Sequence, residues 1–120
     1  MQESDIKQMA PPEGKALIYI IRVKMIGAAV KMGVLIDGVK IGDTRAKNFL
    51  YVIAEPGPHE IMSKAENKFK MELTLQPNTI YFIEQQVKMG FAFARTKLVL
   101  IDEKKGRKFL GKCKLSKFQL

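Results

Sequence analysis

From Lys15 to Ile101 the apolar residues recur at every second position, the spacing of extended strands that bury one face. The pattern is clearest where Phe69, Met71, Leu73 and Leu75 alternate with Lys70, Glu72 and Thr74, predicting a strand with one dry and one wet face. Ala16–Lys24 (ALIYIIRVK) reads differently. Its first half is apolar on both faces, as a central strand requires, and its outer half sets Ile21 and Val23 opposite Arg22 and Lys24. Val30, Met32, Val34 and Ile36 point one way and end at Asp37-Gly38, the dipeptide a type I′ hairpin favours because both central residues need positive φ. A short return strand, Val39–Gly42, follows. Further strands are expected at Asn48–Ala54, His59–Ala65, Thr79–Lys88 and Arg95–Ile101, separated by Glu55-Pro56-Gly57-Pro58, Glu66-Asn67, Gln76-Pro77-Asn78 and the apolar loop Met89–Ala94.

Both ends depart from this period. Residues 1–14 are polar and acidic and finish in Pro11-Pro12-Glu13-Gly14, so they read as a flexible lead-in to one domain over residues 15–120. After Asp102, a fair N-cap, Phe109, Leu110 and Cys113 fall at helical spacing among Lys104, Lys105, Arg107, Lys108, Lys112 and Lys114. This predicts a short basic helix packed on the strands. Gly106 and Gly111 each weaken such a helix by about 1 kcal/mol relative to alanine, and the rival is an edge strand through Lys112–Phe118. Strands spaced by about 8–12 residues with turn chemistry between them indicate a mainly β fold, an antiparallel sandwich of about seven or eight strands with a C-terminal helix.

The turns also carry a resemblance. VLIDGVKIG, an aromatic strand, EPGPHEI, an alternating strand and LQPNTIYF resemble, in that order, the PEGA-type domain. From PPEGKALIYIIR to the basic tail, about residues 11–115, the chain is similar to a broader bacterial family known only as a domain of unknown function. The resemblance implies an immunoglobulin-like sandwich in the periplasm or anchored at the cell envelope after leader removal. Residues 2–5 (Gln-Glu-Ser-Asp) carry no basic n-region and no apolar stretch, so a chain complete at Met1 is expected in the cytoplasm.

Composition narrows the chemistry. At 120 residues and 47% hydrophobic the chain can bury a core without staples. It has one cysteine, Cys113, and one histidine, His59, too few for an internal disulfide or a four-ligand zinc site, so no metal or cofactor is expected. Cys113 sits at apolar spacing and His59 at a turn-to-strand step, positions that favour structural roles over a thiol or hydrolase mechanism. The acids are scattered over turns and a wet strand face rather than paired, and no run approaches the ~20 apolar residues of a membrane span.

Two surfaces remain. Met89–Arg95 is an apolar loop in which Phe91 and Phe93, beside Arg95, form a candidate contact for a protein or peptide partner, unless they cover one end of the core. The net charge of +9, concentrated in the tail at Lys104, Lys105, Arg107, Lys108 and Lys112, offers a candidate anionic membrane contact; nucleic acid is disfavoured for want of aromatics interleaved on a basic face. The expected function is a non-enzymatic binding or structural module of the bacterial envelope, with peripheral electrostatic binding as the alternative.

Overall fold

The computed structural model describes residues 1–90 and 92–120, which contain two helices and nine strands. In chain order these are α1 (Glu3–Lys7), β1 (Ala16–Arg22), β2 (Met32–Ile36), β3 (Val39–Thr44), β4 (Asn48–Ala54), β5 (Gly57–Lys64), β6 (Lys68–Leu75), β7 (Thr79–Met89), β8 (Ala94–Ile101), α2 (Glu103–Gly111) and β9 (Lys114–Leu115). They form a five-stranded sheet, β8-β7-β1-β4-β9, and a four-stranded sheet, β3-β2-β5-β6. Among the described residues, no helix is long and apolar enough to cross a membrane.

Strand β1 organises the molecule. All seven of its residues are buried, and it runs antiparallel to β4 on one side and parallel to β7 on the other. The antiparallel expectation therefore needs correcting: the five-stranded sheet is mixed, with β4 and β9 also parallel. A strand apolar on both faces is best placed in the middle of a sheet, where neighbours cover both edges and both faces. Its inward residues Ala16, Ile18 and Ile20 meet Val34, Leu50, Ile61, Ile83 and Leu98 between the two sheets. Its outward residues Leu17, Tyr19 and Ile21 pack with Phe49, Phe82, Leu110 and Cys113 on the helix side.

The N-terminal segment is not a free lead-in. Ile6 of α1 is 3% exposed within the helix-side core, and the Tyr19 hydroxyl donates to the Ile6 carbonyl. One apolar residue in a polar stretch is enough to dock a turn of helix where the sheet leaves a dry surface. The tail contains both rivals: Asp102 caps α2 by accepting from the Lys105 N–H at 2.8 Å, and β9 then extends the sheet beside β4.

At the β2–β3 hairpin Asp37 and Gly38 have φ of 52° and 81°, as the type I′ turn demands. Val30 lies before β2 and is exposed rather than sharing the inward row of Met32, Val34 and Ile36. Arg22, on the face opposite Ile21 and Val23, is fully buried, because that face of β1 looks into the space between the sheets.

Candidate functional site

Where β1 ends, the chain makes an irregular excursion through 24–31 before entering β2. The Arg22 guanidinium holds it from beneath, donating from Nη1 to the carbonyls of Val30 and Thr44 (2.9 Å to the latter) and from Nη2 to that of Gly27 at 2.8 Å. Burial lowers the Arg22 pKa to about 10, so the side chain stays protonated at neutral pH and keeps all three bonds. The loop lies against the end of the β7–β8 hairpin: a Cβ on Gly27 would stand 3.1 Å from Met89 Sδ and 3.3 Å from Val87 Cγ1.

The two segments together expose apolar side chains. Among the described residues, Met25, Ile26, Val30, Met89 and Phe93 account for five of the ten large hydrophobics that are substantially exposed, with Met25 at 60% and Phe93 at 48%. Single exposed apolar residues are ordinary, whereas several on adjoining segments make a candidate contact surface. Lys24, Lys31, Lys88 and Arg95 stand exposed on the same two segments. No Asp or Glu occurs between Glu13 and Asp37, nor between Glu84 and Asp102. Beside the cluster opens a cleft of about 710 Å³, walled by Lys31, Gly33, Asp43, Lys64, Met89 and Phe93. Asp43, one of its acids, is paired with Lys40 at 2.9 Å.

A chain of buried polar groups braces the two sheets. Thr44 Oγ1 donates to Gln85 Oε1 at 2.5 Å, Gln85 Nε2 donates to Ser63 Oγ at 2.8 Å, and Ser63 and Thr96 share a hydroxyl bond of 2.6 Å. Asn67 completes it, donating to the Thr96 carbonyl and accepting from the Thr96 N–H at 2.7 Å. The Asn67 amide thus takes both backbone groups of Thr96 on the edge strand β8, as a neighbouring strand would. Sequence reasoning missed this network, although Ser63 two places after Ile61 and Gln85 between Ile83 and Val87 are polar residues at inward positions.

The residues singled out from sequence separate into distinct places. Phe91 lies outside the described residues. Phe93 stands exposed on the cleft rim. Arg95 is exposed but faces a second depression, of about 350 Å³, with Lys24, Phe69 and Gln86. Met25 and Ile26 were not anticipated; a stretch such as MIGAAV carries no local sign that it turns outward.

In the tail, Lys104, Lys105, Lys108 and Lys112 are exposed. Arg107 is not a free contact. It donates to the Lys7 carbonyl at 2.7 Å, lies 3.6 Å from Glu103 and stacks 5.1 Å above the Phe82 ring, joining α2 to α1 and the sheet. Cys113 is buried and its thiol is pushed up to about 11 by burial, which keeps it protonated at neutral pH. His59 has Nδ1 2.6 Å from Asp37 Oδ2 and Nε2 2.7 Å from the Glu55 carbonyl, so both ring nitrogens are engaged in fixing a turn. Among the described residues no three His, Cys, Asp or Glu side chains gather as a metal site would require.

Comparison with known proteins adds a family. The model of a family described as "Protein of unknown function (DUF2846)" matches residues 12–97. An uncharacterized protein of Haemophilus influenzae is 28% identical over 117 residues, covering 96% of this chain and 70% of that protein. No solved structure matches.

Proposed function

The chain belongs to the DUF2846 family of proteins of unknown function, and from that premise we propose that it is a non-enzymatic contact module of the bacterial cell envelope. The observation that carries this reading is the exposure of Met25, Ile26, Val30, Met89 and Phe93 on two segments that touch, with Val30, Met89 and Phe93 lining one cleft. Exposed apolar surface is unfavourable in water, and a rigid polar brace below it argues against collapse as its purpose. The bacterial relative supports a bacterial setting, and the resemblance to envelope proteins supports the location. The engaged ring of His59 and the protonated thiol of Cys113 favour binding over catalysis.

A finer kinship with immunoglobulin-like or PEGA-type sandwiches is part of this proposal. It is supported by two sheets across one core and by the turns at Asp37-Gly38, Glu55–Pro58 and Gln76–Asn78. The central, parallel-paired β1 is the point of departure, since an immunoglobulin domain starts on a sheet edge. A second reading places the contact on the basic α2 and following residues, where Lys104, Lys105, Lys108 and Lys112 are free to meet anions.

Co-sedimentation of the purified protein with washed bacterial envelope fragments separates the two. Met89→Ser with Phe93→Ser should reduce the bound fraction about tenfold while shifting the melting temperature by no more than ~3 °C, as expected of exposed positions. Replacing the four exposed tail lysines by glutamine should leave binding nearly unchanged. The reverse pattern would transfer the role to α2, and failure of the wild-type protein to sediment would refute the envelope contact.

A further inference from the structure

Resting on the contact surface just proposed, we infer that its partner is the anionic lipid surface itself, met by Met25 and Ile26 of the 24–31 loop and by Met89 and Phe93 of the β7–β8 hairpin. Two complementarities at different depths point to a bilayer. The apolar side chains of Met25, Ile26, Met89 and Phe93 suit the boundary between headgroups and acyl chains. Lys31 lines the cleft with Met89 and Phe93, while Lys24, Lys88 and Arg95, on the same two segments, border the second depression, and these cations suit the phosphate layer above.

The charge is one-sided where it matters. Both segments lie in stretches without a single acid, from Glu13 to Asp37 and from Glu84 to Asp102, although the chain carries 12 Asp and Glu in all. The neighbouring cleft has two acids, Asp43 and Glu66, but Asp43 is neutralised by Lys40. Met25, Ile26 and Phe93 also sit on loops, and Met89 at the last position of β7, rather than in a row along a strand edge. The β8 edge next to them is closed at Thr96 by Asn67, which disfavours addition of a peptide strand there. Arg22, holding the loop carbonyls of Gly27 and Val30 together with that of Thr44 at the end of β3, fixes the 24–31 loop before any partner arrives.

Flotation with protein-free vesicles tests the inference. The full chain should float with phosphatidylcholine vesicles containing phosphatidylglycerol, should not float with phosphatidylcholine alone, and should release as salt is raised. Met89→Ser with Phe93→Ser, and separately Lys88→Gln with Arg95→Gln, should each lower the bound fraction about tenfold. Phe93→Leu, which keeps an apolar side chain, should retain binding. Glutamine at Lys104, Lys105, Lys108 and Lys112 should have little effect. Sedimentation with envelope fragments but no flotation with lipid alone would overturn the inference in favour of an envelope protein as partner, leaving the contact surface standing. Loss of flotation only in the tail variant, or extensive unfolding of the serine variant, would also overturn it.

Discussion

At Gly106 a single hydrogen atom decides whether α2 can dock. A Cβ there would stand 2.3 Å from Phe82 Cγ and 2.6 Å from Phe82 Cβ, far inside contact distance. Alanine favours a helix by about 1 kcal/mol over glycine, but forcing an extra carbon into a packed core costs about 1–3 kcal/mol. Gly106→Ala should therefore destabilise the protein by up to about 2 kcal/mol, read as a lower urea midpoint at unchanged slope. Gly111, with nothing within 4 Å of an added Cβ, supplies the control: alanine there should be neutral or stabilising. From sequence the two glycines look alike, because the difference lies in a phenylalanine on another element. Arg22 teaches the same lesson. Alternation assigns it a face, but only the second sheet makes that face the interior, where its donors take the carbonyls of Gly27, Val30 and Thr44.

The β2–β3 hairpin is the element whose stability should respond to acid. Its turn residue Asp37 accepts the Glu60 N–H at 2.9 Å and meets the His59 ring, and these contacts, the backbone bond first, hold its carboxyl below the usual carboxylate range. A folded-state pKa below the unfolded value of about 3.9 means that the stabilisation is present above that value and is lost as pH falls through the folded one. The melting-temperature gap between wild type and Asp37→Asn should be steady near neutrality and close on acidification below about pH 4. An unchanged gap would mean that the carboxylate contributes nothing to the hairpin. The turn of this element was legible in the sequence, since Asp37-Gly38 and the flanking alternation are local signals, although Val30 falls outside β2 and β3 runs two residues past Gly42. So was β4, which spans Asn48–Ala54 as its apolar run suggests. The N-terminal helix was not: five residues with one buried isoleucine carry no period to read, and their order comes from the dry sheet they cover.

For the whole molecule, local patterning set the number and limits of most strands but not their order. Parallel pairing of β1 with β7 joins residues far apart in the chain, and no turn residue announces it. The contact surface was half legible for the same reason. The apolar hairpin loop stands out in the sequence, whereas its partner at 24–31 becomes visible only when Gly27 is found against Met89. The charge followed a similar course: a net +9 drew attention to the tail, while the acid-free stretches that frame the loops matter more for an interface. Since the chain contains no tryptophan, Phe93→Trp places a single reporter at the heart of the proposed contact. Its emission should shift to the blue on adding vesicles that contain phosphatidylglycerol and should stay put with phosphatidylcholine alone. An unshifted emission from protein that is nevertheless bound to the anionic vesicles would contradict insertion at this end of the molecule.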